Sequence, residues 1–108
     1  TVNAAACAAA AADSALLATD LADYLVRKGM PFRHAHHAVG AAVALAEELG
    51  KPLGDLTSAE LKSVNAAFAE DAKDCFDLTK AMARRNLTGA PGTKEVAKQL
   101  ARWRRQLA

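Results

Sequence analysis

Alanine supplies 28 of this chain's 108 residues, half of all its apolar positions, and isoleucine is absent. Alanine is the strongest helix former and is depleted in strands. Its methyl group removes little apolar area from water, so helices lined with it approach closely but gain modest burial per residue. The composition therefore directs the chain toward a shallow, helix-on-helix core, and no segment alternates with the period of two that a half-buried strand requires. At this length one core fits and roughly 65% of the unfolded surface can be buried. The expected class is all-α, a small multi-helix domain with short loops whose stability depends in part on a partner surface.

The helices can be placed from their punctuation. Residues 1–12 are nearly pure alanine with no stripe of large apolar side chains, and they read as the tail of a longer helix that needs neighbours. Asp13 and Ser14 mark a break or cap before a second helix. In that helix Leu16, Leu17, Leu21, Tyr24, Leu25 and Lys28 recur at helical spacing. Asp20 and Asp23 stand near its N-terminal end and Arg27 and Lys28 near its C-terminal end, matching the helix dipole. Gly29 is a stop and Pro31 suits the first turn of the next helix. Phe32, Ala35, Val39, Ala42, Val43, Ala46 and Leu49 then predict one face of a helix running to about Gly50, with Gly40 expected against another backbone.

Further along, residues 51–56 read as a loop, and Thr57 to Glu60 have the spacing of a capping box ahead of a short helix through Leu61 and Val64. Residues 66–76 are expected to be helical, with Phe68, Ala72 and Phe76 on one side. A brief helix carrying Met82 follows, then the clear loop of residues 86–92. Thr93 is expected to cap a last helix on which Val96, Leu100, Trp103 and Leu107 form a packing face.

Few residues invite chemistry. His34 and His37 share a helix face, but no third ligand stands near them at metal-binding spacing, and His36 is expected to point inward. Ser14, Ser58 and Ser63 lie where capping or surface roles account for them. Adjacent acids such as Glu47 and Glu48 project to different sides of a helix. Residues 89–93 have neither a preceding strand nor the Walker lysine and hydroxyl of a phosphate loop. Cys7 and Cys75 lack CxxC spacing, and the opening residues lack the basic and leucine-rich regions of a signal peptide, so reduced thiols and a cytoplasmic location are expected. No apolar run approaches the roughly 20 residues of a membrane span. Residues 84–108 carry seven cations against Glu95 alone, while the rest has seven cations and eleven acids. That polarity fits a basic last helix that docks on acidic surface better than a nucleic-acid footprint, because Trp103 belongs to the apolar row.

Residues 16–33, from Leu16 through Ala18, Thr19, Asp20, Leu21 and Ala22 to Gly29, Met30, Pro31, Phe32 and Arg33, closely resemble the opening of the small C-terminal domain of argininosuccinate lyases. The likeness extends with decreasing strength over residues 14–108, through Ala35, His36 and Gly40, residues 44–47, residues 56–61, Phe68 and the final Gln99 and Leu100. On this resemblance residues 1–13 are a remnant of a central bundle helix and residues 14–108 the terminal helical domain. The resemblance implies membership of the fumarase and aspartase superfamily, in which a base removes a proton beside a carboxylate and the carbanion expels the guanidinium nitrogen, releasing arginine and fumarate. It also implies a homotetramer whose catalytic residues come from the first two domains and from several subunits. The family's serine loop of the GSSxMPxKxNP type has no counterpart among these residues. The resemblance therefore assigns no catalytic, cofactor-binding or metal residue and no cofactor here. Its expected partners are the rest of the lyase chain and sister subunits, with no nucleic acid and no membrane. A freestanding interaction module using the basic last helix is the alternative.

Overall fold

The computed structural model describes residues 1–108 and is helical throughout its regular elements. Six α-helices, α1 (Ala4–Ala11), α2 (Ala18–Arg27), α3 (Phe32–Glu48), α4 (Ser58–Val64), α5 (Leu78–Arg84) and α6 (Thr93–Leu107), alternate with 3-10 turns at Ser14–Leu17, Leu53–Asp55 and Glu70–Phe76. The chain divides into two compact units, Thr1–Leu78 and Thr79–Ala108.

In the first unit α1 is capped by the Asn3 side chain, which accepts from the Ala6 amide, and buries none of its residues. Asp13 accepts from the Ala15 amide and starts a 3-10 turn, so the α-helix expected from Ser14 begins only at Ala18. That shift turns Leu16 outward while Leu17 is buried. Gly29 ends α2 with φ of +94°, the left-handed value expected of a C′ glycine. Leu21, Ala22 and Leu25 of α2 meet Ala35, Ala38, Val39, Ala42 and Ala46 of α3, an interface built largely from methyl groups. Phe32 and Leu49, expected on the buried face of α3, are exposed because Ala35, Ala38, Ala42 and Ala46 occupy the inward positions.

The wall opposite α3 is made by short elements. Thr57 and Glu60 form the predicted capping box: the Thr57 hydroxyl accepts from the Glu60 amide and the Glu60 carboxylate accepts from the Thr57 amide. The α-helix expected over residues 66–76 is replaced by an Asn65 side chain that accepts from the Ala67 amide, followed by the 3-10 turn from Glu70. This turn drives Phe68 fully into the core beside Leu21, Leu25, Leu56 and Leu61. A 3-10 helix repeats every three residues, so Ala72 and Cys75 face inward and Phe76 is only partly covered. The Lys73 ammonium donates to the carbonyls of Gly54 and Leu56 at 2.7 and 2.6 Å, tying this turn to the preceding loop.

The second unit holds α5 from Thr79 onward and all of α6. The turn between α5 and α6 is closed by Gly92, whose amide donates to the Arg85 carbonyl at 3.1 Å, and by Gly89 at φ +84°. Gly92, not Thr93, occupies the cap of α6, and no side chain caps it.

Candidate interaction surfaces

His34, His36 and His37 all lie exposed on α3, and the inward position expected of His36 belongs to its neighbour Ala35. One residue is 100° of helical rotation, enough to move a side chain from core to rim. The His36 ring sits 6.2 Å from that of Phe32, and the pair edges a shallow apolar hollow of about 380 Å³ between α2 and α3. Ala18, Ala22, Gly40 and Val43 also line it. Gly40 touches no backbone: a methyl group added there would meet nothing within 4 Å, so the close approach expected for it is absent.

The serines take structural roles, and Ser14, expected only to cap or to face solvent, joins its turn to a loop 40 residues away. Ser14 accepts from the Gly54 amide, Ser58 donates to Glu70 and Ser63 donates to the Glu60 carbonyl. Cys7 is exposed, Cys75 is buried, and neither belongs to a disulfide.

Sequence reading placed Tyr24 only on a packing stripe, but its hydroxyl joins distant parts of the first unit. Its hydroxyl donates to Asp71 at 2.5 Å and accepts from the Ala69 amide at 3.2 Å, latching α2 to the 3-10 turn across 45 or more residues of sequence. Lys28 completes the cluster, 3.6 Å from the Asp71 carboxylate and 4.6 Å from the centre of the Tyr24 ring. The Tyr24 hydrogen bond, and then the Lys28 charge, hold the Asp71 carboxyl below its ordinary range. The same hydroxyl and Asp71 raise the Lys28 ammonium above its usual value. Elsewhere Lys51, and then the Thr57 amide, lower Glu60, while Ser58 and then Lys62 lower Glu70. A tyrosine spaced one turn from a lysine was the only sequence signal for this cluster, because Asp71 is brought to it by tertiary contact.

A carboxyl whose pKa is lowered by folding stabilises the fold above its unfolded pKa, and that contribution is lost as pH falls through the folded value. Asp71, Glu60 and Glu70 all have this sign, so stability is expected to drop once pH falls below about 4. Tyr24→Phe is expected to lower Tm near neutral pH, and its gap to the wild type is expected to narrow as pH falls and Asp71 becomes protonated. Thermal melts of the two proteins across this range check the expectation. A gap that persists at low pH would show that the Ala69 bond, not Asp71, carries the effect.

On the second unit α6 carries its expected row, but not as a packed face. Val96, Leu100 and Trp103 are about half exposed and Leu107 is 81% exposed. Glu95 is buried in the first turn and accepts from Lys98 at 2.6 Å. Lys94, Lys98 and Arg105 lie on the side of the helix opposite the apolar row, and Arg102 stands 5.8 Å from the indole centre. A hollow of about 290 Å³ opens by the α6 N-terminus, lined by Thr79, Arg85, Asn86, Thr93 and Lys94 among others.

Neither surface brings a nucleophile, a base and an orienting group together. The packing pattern finds its counterpart among known proteins instead. Residues 15–83 match the family described as argininosuccinate lyase C-terminal. The chain is 47% identical over 91 residues to the argininosuccinate lyase of Anaeromyxobacter dehalogenans, covering 84% of this chain and 20% of that protein. It is 54% identical over 86 residues to that of Oleidesulfovibrio alaskensis, covering 80% and 19%. With that of Saccharomyces paradoxus the identity is 46% over 93 residues, covering 85% and 20%. The chain thus spans about a fifth of the length of these relatives. The matched segment runs from the capped 3-10 turn before α2 to the end of α5, and on it the chain belongs to the argininosuccinate lyase C-terminal family.

Proposed function

We propose that this chain serves as the C-terminal structural domain of an argininosuccinate lyase, an enzyme that splits argininosuccinate into arginine and fumarate, and that it does not itself catalyse the reaction. The carrying observation is that the family match over residues 15–83 coincides with a network of packing and capping residues: Leu21, Leu25, the α3 alanines, the Thr57 and Glu60 box, and Phe68. On this reading the proton-abstracting base and the groups that bind substrate come from the rest of the lyase chain and from sister subunits of a homotetramer in the cytoplasm. Residues 1–13 are read as the end of a bundle helix, which accords with α1 burying nothing of its own. The family match favours this domain role over a freestanding interaction module.

Two measurements test the reading. The purified 108-residue chain is expected to release no fumarate from argininosuccinate above the buffer rate, and measurable turnover would overturn the non-catalytic assignment. Replacing the matching C-terminal segment of the Anaeromyxobacter dehalogenans lyase with this chain is expected to retain activity. The same graft carrying Leu21→Asp is expected to lose it, because an unpaired charge would enter the core. An inactive but folded wild-type graft would count against the domain role.

A further inference from the structure

We propose that Asp13 and Ser14 form a locked elbow, a conformational device that holds α1 at a fixed angle to the first unit and keeps α1 and α2 from running together as one helix. Residues 4–27 contain no glycine and no proline, and 15 of these 24 residues are alanine or leucine, the composition of an uninterrupted helix. The axes of Ala4–Ala11 and Ser14–Arg27 nevertheless differ by 56°. A bend of that size in so helical a segment needs a specific cause.

The cause lies at Asp13. Ala12 still has helical angles, whereas Asp13 is extended, with φ of −65° and ψ of 112°. Its carboxylate accepts from the Ala15 amide at 2.9 Å, and its carbonyl accepts from the Leu16 amide at 3.1 Å. In a continuous helix those two amides would donate to the carbonyls of Ala11 and Ala12 instead. Asp13 therefore competes with the helix for its own hydrogen bonds and diverts the chain into the 3-10 turn.

Ser14 anchors the base of the elbow. Its hydroxyl oxygen accepts from the Gly54 amide at 3.1 Å, and the Gly54 carbonyl accepts in turn from the Lys73 ammonium at 2.7 Å. The residue that grips Ser14 is thus held at both of its polar atoms. A methyl group built on Gly54 would lie 3.0 Å from the Ser14 Cβ and 3.6 Å from that of Phe76, so the loop closes on the elbow as tightly as glycine allows. With Ser14 fixed to the unit, rotation at Asp13 decides where α1 points. Because α1 buries none of its side chains, the Asp13 bonds rather than packing hold that rotation. On the lyase reading, on which this consequence alone rests, the elbow sets the angle between the bundle helix and the terminal domain.

Double electron-electron resonance on the 108-residue chain tests the elbow. Nitroxides are placed at Ala5→Cys on α1 and Glu47→Cys on α3, both exposed, in a Cys7→Ser background, and Cys75 is buried away from the label. One narrow distance distribution is expected. Asp13→Ala is expected to broaden it by at least about twofold as a straightened form becomes populated, and to gain far-ultraviolet helical signal. Ser14→Ala is expected to broaden it as well, through loss of the anchor. Asp13→Asn keeps the side-chain acceptor and is expected to retain the narrow distribution. A broad distribution in the labelled parent, an unchanged one in Asp13→Ala, or equal broadening in Asp13→Asn would overturn the locked elbow. An inactive wild-type lyase graft would count against the lyase reading and leave these distances as they are.

Discussion

Phe68→Ala is expected to cost about 3–5 kcal/mol, enough to unfold much of residues 1–78, since a domain's whole stability is about 5–15 kcal/mol. Phe68 is fully buried and is the largest side chain in a core otherwise made of leucines, one valine, one cysteine and alanines. The alanines of α2 and α3 already sit close together and have no longer side chains to swing into the space. The cavity would therefore stay open, and the full penalty of lost contacts would remain. Urea titration followed by far-ultraviolet circular dichroism measures the loss. Phe68→Leu is expected to cost about 1–1.5 kcal/mol, because most of the volume is retained. Equal losses for the two variants would show that the site does not depend on volume.

The second large effect is expected at Gly92→Ala. A methyl group built at this position would lie 2.3 Å from the Arg85 carbonyl oxygen and 3.0 Å from that of Met82. Both obstacles are backbone atoms, so relief requires the turn itself to open. Its φ of −60° is ordinary for any residue, so close approach rather than backbone freedom demands glycine here. Opening the turn would break the Gly92 to Arg85 hydrogen bond and displace the start of α6, at a cost of about 2–3 kcal/mol. Hydrogen exchange of the α6 amides reads the change directly. Their protection is expected to fall while amides of α2 and α3 are unaffected. Gly40→Ala supplies the contrast: the position is helical and open, and alanine is expected to stabilise by about 0.5–1 kcal/mol.

Much of the helical plan was legible because its signals are local. The glycine stop at 29 and the capping box at 57–60 each act within one turn of chain and stand as expected, while Pro31, expected in the first turn of α3, takes the cap position just before it. The errors share a different origin. Leu16, Phe32 and Leu49 have the right spacing and chemistry for burial, yet the 3-10 turn buries Leu17 in place of Leu16, and on α3 four alanines and Val39 occupy the inward positions. Residues 66–76 have an acceptable α-helical period, but the Asn65 side chain competes for the backbone and sets a 3-10 turn with a three-residue repeat. His36 missed the interior by one helical step.

The surfaces were less legible than the core. The row on α6 was visible as a period, but that Leu107 at its end is 81% exposed was not. Tyr24 reads as one more apolar position until Asp71 and Ala69 are brought to its hydroxyl from more than 40 residues away.

By itself the sequence determined the all-helical class, the sites of most helix ends and the family, since these depend on propensity, caps and a run of side chains read in order. Which of several equally apolar residues are buried, which turn departs from α-helix, and where glycine is required by a neighbouring carbonyl were decided only in the tertiary structure. The physical reason is separation along the chain. A cap or a stop interacts with residues three or four positions away, whereas burial and close approach depend on atoms that only folding makes neighbours.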